Sequence, residues 1–194
     1  MSRFVLKVLQ ACVVTSAIVI CTSANARLPE PTFPETIVLP STDVLLSKIG
    51  EHRYIHNMFF KVYDVALYAD SSSEIKDILD AKTSYRLQFR YLRKIDRSII
   101  LKSSAKMLAK NLAPEEYDQI AVRLNYLNAN YQSVENGDRS SLTYQLGVGT
   151  TLSINGLPII TIKGQDFAKL YFTIWLGKLP ISKILREDLL YFSD

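Results

Sequence analysis

The sequence predicts a single α+β domain in which helices cover one face of an antiparallel β-sheet. Two observations lead to this prediction. Strand-like segments follow one another with hairpin-like turns between them, and strands linked in this way form antiparallel sheets. Longer segments with apolar residues at helical spacing stand between the strands and after them, and their apolar faces need a sheet to cover. The 194 residues suit one domain, and no internal linker or repeat divides them.

The first half of the chain supplies strands and one short helix. A short strand is predicted at Thr36–Leu39, followed by a glycine-containing segment around Gly50. Phe59–Tyr68 is rich in aromatic and β-branched residues and is apolar on both faces, which is typical of a central strand. Ser71–Glu74 matches a capping box and predicts the start of a short helix. Tyr85–Tyr91 alternates strictly between apolar and polar residues, which indicates a strand with one buried face.

Two longer helices are predicted in the middle of the chain. Asp96 can cap the first one, and Pro114 suits the first turn of the second, where a missing backbone N–H is tolerated. In both segments the apolar residues recur at helical spacing, so that each helix has one face for the core. The positions that define the first helix are Ile100, Met107, Leu108 and Leu112.

The second half of the chain repeats the order of strands followed by helices. A turn at 136–138 precedes a strand predicted at Leu142–Val148. Asn155-Gly156 stands between two short apolar segments and is a strong hairpin signal, because both turn positions require positive φ. A helix is predicted from Phe167 to a glycine stop at Gly177, and a last helix at about Pro180–Leu190.

The N-terminus has the three-part layout of a secretory signal peptide. Arg3 and Lys7 form a positive region, Val8–Ile20 is apolar, and the small-residue triplet Ala24–Ala26 follows. This layout predicts a signal peptide over 1–26 and a mature domain over 27–194, secreted or periplasmic. A retained membrane anchor is the alternative, but the apolar stretch is shorter than the ~20 residues that a spanning helix needs.

Charge and cysteine content limit the functional classes. The net charge of +4 falls to about +2 when Arg3 and Lys7 are removed, which gives no reason to expect a nucleic-acid partner. Cys12 and Cys21 both lie within the predicted signal peptide, so the mature domain has no disulfide or thiol nucleophile. The sequence contains no phosphate loop or dinucleotide fingerprint, and we expect no cofactor.

Two stretches of the sequence carry a family resemblance. The first is Gly50–Arg53 followed by Phe60–Tyr68, and the second is Gly164–Ala168 followed by Ile174–Gly177. In this order they resemble the bacterial, exported branch of the chalcone isomerase-like family. The resemblance implies an open-faced β-sandwich, a curved antiparallel sheet covered on one face by helices, with a ligand cleft between them. Plant enzymes of this fold cyclise a chalcone to a flavanone, whereas fatty-acid-binding members use the cleft without catalysis.

The resemblance implies two ligand-binding residues. In the family an early arginine meets the anionic end of the ligand, and Arg53 matches its position; a guanidinium can bind a carboxylate or phenolate through two hydrogen bonds. A structural ion pair is the alternative for Arg53. Tyr63 falls where the plant enzymes carry a cleft threonine, and a core aromatic is its alternative. The plant enzymes also depend on a tyrosine near the start of their longest helical region, for which Tyr91–Asp96 shows no convincing counterpart.

Three functions follow from these observations. The first is non-catalytic binding of a small amphiphilic anion, fatty-acid-like or phenolic, in the cleft. The second is an intramolecular lyase (isomerase) in which Arg53 stabilises an anion and Tyr63 or Asp64 handles a proton. The third is a cell-envelope interaction module. The helix with Lys102, Lys106 and Lys110 could dock on anionic lipid or a partner, but a solvated helix face is the favoured interpretation.

Metal binding is not expected. His52 and His56 are the two histidines of the sequence. On an extended strand, residues four apart are separated by roughly 13 Å, too far to share one ion.

Overall fold

The computed structural model describes residues 33–39 and 43–191, which form one antiparallel sheet and six helices. Each strand pairs with the next along the chain, so the spatial order is β1 to β7. The strands are β1 (Thr36–Leu39), β2 (Val44–His56), β3 (Phe60–Ala69), β4 (Tyr85–Tyr91), β5 (Arg139–Gln145), β6 (Gly149–Ile154) and β7 (Leu157–Ile162). The helices are α1 (Ile75–Leu79), α2 (Arg97–Asn111), α3 (Pro114–Ala129), α4 (Gln165–Tyr171), α5 (Thr173–Leu176) and α6 (Lys183–Leu189).

The predicted α+β architecture is confirmed: a curled antiparallel sheet carries helices on one face. The proposed signal peptide, 1–26, lies outside the described residues. Within the described ranges, no helix is both long enough and apolar enough to cross a membrane.

The central strand β3 is covered on both of its faces. Val65 and Leu67 point into the main core, which they share with the helices. Ala66 and Tyr68 point to the other face, where they pack with three residues from the start of the described chain and from β1 and β2. These three are Phe33, Leu39 and Leu46. The apolar composition of this segment on both faces, from which a central strand was predicted, therefore has a direct structural cause.

Several predicted elements differ in detail. The segment around Gly50 is the long strand β2, which had no predicted secondary structure because apolar and polar residues do not alternate regularly along it. The prediction of a capping box at Ser71–Glu74 is wrong, because α1 begins at Ile75. Ser72 instead donates hydrogen bonds from its backbone N–H and its hydroxyl to the Asp70 carboxylate. The Asx turn therefore satisfies the local polar groups ahead of the helix.

The helices and strands of the second half also have shifted boundaries. β5 ends at Gln145 because the chain turns at Gly147, which has φ of +78°. The helix predicted up to Gly177 is divided into α4 and α5 at Phe172. The last helix begins at Lys183, where the Ser182 hydroxyl accepts a hydrogen bond from the Leu185 N–H. The Asn155-Gly156 hairpin is confirmed, with positive φ at both residues.

Close packing between β2 and α6 depends on Gly50. A Cβ at this position would overlap the Asp188 carbonyl oxygen and lie 3.0 Å from the Leu189 Cα. Both contacts are with backbone, which cannot move aside as a flexible side chain would. The His52 Nδ1 and the Asp188 Oδ2, 2.7 Å apart, join the same two elements. Gly50 therefore allows α6 to lie directly on β2.

Arg123 of α3 binds the first turn of α4. Its guanidinium donates to both carboxylate oxygens of Asp166, at 2.9 and 2.5 Å, and Gln119 donates to the same carboxylate. These hydrogen bonds, with the one from Arg123 foremost, lower the pKa of Asp166 to about 2. The carboxylate also lies near the positive end of the α4 helix dipole. The contact fixes the second family-like stretch, Gly164–Ala168, against α3.

Replacing Gly50 with alanine should destabilise the domain. The new methyl group must push α6 away from β2, and overpacking of this kind costs about 1–3 kcal/mol. Urea or thermal unfolding measures the effect. Gly137→Ala is the control, because a Cβ there meets nothing within 4 Å and only the positive φ of +93° is penalised, at about 1 kcal/mol. A Gly50 variant no less stable than the Gly137 variant would contradict this account of the β2–α6 contact.

The Arg123–Asp166 contact should make stability depend on acid. The pKa of Asp166 is lower in the folded than in the unfolded chain, so its stabilisation is complete above about pH 4 and is lost as the pH falls through 2. Because Arg123 and Asp166 are 30% and 38% exposed, we expect about 1 kcal/mol rather than the full linkage value. The free energy of unfolding, measured between pH 5 and 2, should fall less steeply for Asp166→Asn, because the contribution of Asp166 is absent. An unchanged pH dependence would refute the assignment.

Candidate functional site

A large, mostly apolar opening in the described part of the chain lies between one end of the sheet and α2. It has a volume of about 640 Å³, within the ~300–1,000 Å³ range of ligand pockets. Its sheet side is formed by the ends of β2, β3, β4 and β5, and its helical side by α2 and α5. A second depression, of about 370 Å³, lies at the β5–β6 turn and is lined mostly by glycines and turn residues.

A β-bulge in β3 directs three neighbouring side chains to the cavity. Tyr54 pairs with Tyr63, and the next residue of β2 pairs with Lys61, so Val62 has no partner on β2. An unpaired bulge residue lets side chains that would otherwise alternate point to the same face. As a result Phe60, Val62 and Tyr63 all line the cavity.

Aromatic rings form the sheet side of the cavity and its floor. The Tyr63 ring stacks on Tyr54, with centroids 5.1 Å apart, and meets Phe89 edge to face at 5.3 Å. Phe89 in turn lies 5.4 Å from Trp175 of α5. Offset and edge-to-face pairs are the favourable arrangements of aromatic rings, so these contacts stabilise the wall. An apolar wall of this kind suits a hydrocarbon or aromatic ligand.

One buried hydroxyl in this wall is unsatisfied. Tyr63 is 7% exposed and its hydroxyl has no hydrogen-bond partner among the described residues. Trp175 lies close enough to oppose part of the pKa shift of Tyr63, but burial dominates and raises that pKa, and no hydrogen bond of normal geometry joins the two. An unsatisfied buried donor costs about 1–3 kcal/mol. A ligand oxygen at this position would satisfy it.

The other buried hydroxyls of the cavity are paired. The hydroxyls of Tyr91 and Ser140 lie 2.9 Å apart, as do those of Tyr131 and Tyr171. Ser104 donates to the backbone carbonyl of its own helix. Burial raises the pKa of each of these tyrosines, so all of them are neutral at physiological pH. The inner surface therefore offers neutral hydrogen-bonding groups and no titrating base among its tyrosines.

Positive charge is concentrated at the mouth. Four cations line the cavity, and none of the described lining residues is a carboxylate. Lys94 is paired with Glu135 at 2.8 Å, and the Arg93 guanidinium lies over the Phe60 ring, 5.3 Å from its centroid. The remaining two, Lys106 and Lys110 of α2, are exposed. The mouth is therefore suited to an anionic group.

The lysine-rich face of α2 is only partly a solvated face. Lys106 and Lys110 belong to the cavity mouth, whereas Lys102 is exposed and is not among the lining residues. Lys102, about one helical turn before Lys106, lies beyond the opening. The structure thus separates Lys102 from Lys106 and Lys110, although the sequence pattern did not distinguish the three residues.

Arg53 does not line the cavity. Strand alternation places Arg53 and Asp64 on the face opposite to Tyr54 and Tyr63. There the Arg53 Nε and Nη2 donate to the two carboxylate oxygens of Asp64, at 2.6 and 3.0 Å. The Asp64 side chain is 9% exposed and that of Arg53 is 50% exposed. The geometry corresponds to the structural ion pair that was the alternative interpretation of Arg53.

The groups that an isomerase would need are not brought together. Arg53 and Asp64 neutralise each other on one side of the sheet, while Tyr63 faces the cavity on the other. Tyr63 has a raised pKa and is a hydrogen-bond donor rather than a base at neutral pH. The arrangement is that of a binding cavity with an apolar interior and a cationic mouth.

The two histidines serve different contacts. His52 pairs with Asp188, and the ring of His56 lies at the cavity, where its Nδ1 is 3.4 Å from the Tyr54 hydroxyl. Among the residues that the structure describes, no three His, Cys, Asp or Glu side chains cluster as a metal site would require.

Tyr63, which was named from the sequence, lines the cavity, but several other lining residues carried no prediction. Trp175 belongs to the core cluster and also lines the cavity while remaining 8% exposed. Tyr91 ends a regular strand and carried no signal of its own. The α2 lysines were noted for their regular spacing, but that spacing does not show that Lys106 and Lys110 lie at an opening.

Replacing Arg53 with alanine should reduce stability and leave ligand binding unchanged. The variant leaves the Asp64 carboxylate with Arg90 opposite it on β4, so we expect a loss of about 1 kcal/mol in the free energy of unfolding. An Arg53→Ala, Asp64→Ala double variant measures the coupling of the pair. Weaker ligand binding with no loss of stability would instead assign Arg53 to the ligand, as the family resemblance implies.

Comparisons with known proteins agree with this fold. Among solved structures, the crystal structure of a fatty-acid binding protein from Arabidopsis thaliana matches with a TM-score of 0.58 and 16% identity, over 80% of this chain and 96% of that one. At this identity the likeness shows the fold. No curated protein matches the sequence. A family model described as chalcone isomerase-like matches residues 27–191. Because this match spans most of the sequence, the chain belongs to the chalcone isomerase-like family.

Proposed function

We propose that this protein binds a small amphiphilic anion, such as a long-chain fatty acid, without chemical turnover. The observation that carries the proposal is the combination of an apolar cavity of about 640 Å³ with Lys106 and Lys110 at its mouth, which form no ion pair with any described residue. The similar Arabidopsis structure is titled a fatty-acid binding protein, which supports the same class of ligand.

The ligand would lie with its hydrocarbon tail along the aromatic wall. Each buried CH₂ contributes about 0.8 kcal/mol, so the tail supplies most of the affinity. The carboxylate stays at the mouth, between the sheet and α2, where Lys106 and Lys110 balance its charge. Tyr63 donates a hydrogen bond to it from the sheet side, which satisfies the orphaned hydroxyl. A phenolic anion could use the same groups.

We also propose that the protein works outside the cytoplasm, as the bacterial, exported branch of the family. Arg3, Lys7, the apolar Val8–Ile20 and Ala24–Ala26 support export through a cleaved signal peptide. In a Gram-negative cell this would place the mature chain in the periplasm. A periplasmic binder would carry or buffer an amphiphile that dissolves poorly in water.

Binding should depend on tail length and on the charge of the head group. Affinity should rise roughly tenfold for each two added methylenes until the cavity is full. Isothermal titration calorimetry with saturated fatty acids of increasing length and with the matching fatty alcohols measures both effects. The acid should bind more tightly than the alcohol. Lack of saturable binding by any of these ligands would refute the proposal.

Charge reversal at the mouth should remove the preference for the acid. The Lys106→Glu, Lys110→Glu variant should bind a fatty acid about tenfold more weakly and the alcohol as well as before. Lys102→Glu is the matched control on the same helix and should change the affinity less than twofold. Equal effects of Lys102→Glu and the mouth variant would show that long-range charge alone, and not a site at the mouth, attracts the anion.

The Tyr63 hydroxyl should strengthen ligand binding but lower the stability of the protein without ligand. Tyr63→Phe removes an unsatisfied buried group, so the free energy of unfolding without ligand should stay the same or rise by about 1 kcal/mol. The affinity for the fatty acid should fall about fivefold, the value of one hydrogen bond. Unchanged affinity would place the hydroxyl away from the ligand.

A further inference from the structure

We propose that the tip of the β2–β3 hairpin docks on an anionic lipid bilayer and brings the cavity mouth to the membrane surface. The proposal rests on the proposed function in one respect: the bilayer would be the source or destination of the amphiphile. The docking surface consists of Met58 and Phe59 at the hairpin tip, together with Phe60 and the cations at the mouth.

The hairpin tip exposes an unusual amount of apolar side chain. Met58 and Phe59 are 82% and 80% exposed, and Phe60, next in the chain, is 50% exposed. Ile55 on the preceding strand is 41% exposed. Single exposed apolar residues are common on soluble proteins, but a consecutive group on a projecting turn marks an interaction site.

The tip is joined to the cationic mouth of the cavity. Phe60 lines the cavity together with Lys106 and Lys110, and its ring lies under the Arg93 guanidinium. Lys61, which follows Phe60, is also exposed. Among the described residues, Glu135 supplies the one carboxylate that pairs with a mouth cation, Lys94. Apolar side chains beside a net positive rim are the two features that bind a protein to the surface of an anionic bilayer.

A bilayer fits this surface better than a protein partner. The exposed apolar residues belong to the three-residue turn 57–59 and its immediate flanks, which form a narrow projection. Such a projection offers much less than the roughly 600–800 Å² per partner that a stable protein interface buries. It can, however, enter the boundary between head groups and acyl chains, where aromatic and aliphatic side chains gain most. The cations behind it would then meet the lipid phosphates.

Docking in this orientation would have a direct consequence for the ligand. The cavity mouth, with Phe60 on its rim, would face the acyl region. A tail could move between bilayer and cavity with little exposure to water, so transfer would not be limited by the slow escape of a free monomer into solution. The mouth lysines would guide the carboxylate.

The turn itself allows a clean test. Asn57 and Met58 both have positive φ, +48° and +63°, and glycine adopts positive φ without steric cost. Met58→Gly therefore removes the apolar side chain and relieves the backbone at once. Combined with Phe59→Ser it yields a tip without apolar groups in a hairpin that still forms. Neither residue lines the cavity.

The experiment is co-sedimentation with vesicles of phosphatidylcholine alone or with one quarter phosphatidylglycerol. It uses the chain from Arg27 onward, which retains every described strand and helix and lacks an N-terminal apolar segment that would bind vesicles by itself. Val122→Ser is the matched control, because Val122 is 83% exposed but lies on α3, away from the mouth. Stopped-flow transfer of a fluorescent fatty acid from the same vesicles, and its affinity in solution, are measured in parallel.

We expect binding to the anionic vesicles that weakens at high salt and is at least fivefold weaker on phosphatidylcholine. Met58→Gly, Phe59→Ser should weaken vesicle binding and slow transfer at least fivefold, with the solution affinity for the fatty acid unchanged. Val122→Ser should match the wild type. Fatty-acid binding in solution without vesicle binding, or a tip variant that binds vesicles like the wild type, overturns the docking proposal alone. Tip-dependent vesicle binding without fatty-acid binding overturns the proposed function and leaves the docking surface standing.

Discussion

The structure depends on the central strand β3, which is buried on both faces from Tyr63 to Ala69. One face supports the helices and the other receives Phe33 and parts of β1 and β2. A strand held in this way cannot slip in register, because a shift of one residue would exchange its two apolar faces and bury the Asp64 carboxylate in the main core. The bulge at Val62 is therefore fixed in place, and with it the side chains that line the cavity.

The family-like stretches of the sequence make packing contacts that hold the fold together. Gly50 lets α6 approach the backbone of β2, and Asp166 secures α4 to Arg123 of α3. Arg53, in the first stretch, pairs with Asp64 on the outer side of the sheet. Other residues of the same stretches, among them Phe60, Tyr63 and Trp175, line the cavity, so these stretches shape both the fold and the cavity.

The cavity combines two environments that act on different parts of an amphiphile. The aromatic wall is apolar and holds neutral hydroxyls, since burial keeps the pKa of tyrosines such as Tyr91 raised. The mouth carries the charge and also adjoins the exposed tip at Met58 and Phe59. Specificity for an anion, capacity for a long tail and access to a membrane would thus be separate properties of neighbouring elements. Each can be altered without the others.

The sequence by itself determined the order and type of most elements, the double-sided burial of β3 and the Asn155-Gly156 hairpin, because hydrophobic periodicity and turn chemistry are local. It also placed Tyr63 correctly on the central strand, although not its orphaned hydroxyl. It did not predict the strand character of β2, whose irregular pattern reflects neighbours that are distant in the chain. Only the tertiary structure decided that Arg53 faces away from the cavity, that Lys106 and Lys110 but not Lys102 reach its mouth, and that Trp175 completes its wall. Those outcomes depend on which face of each element meets another, which is a property of packing between segments and not of any one of them.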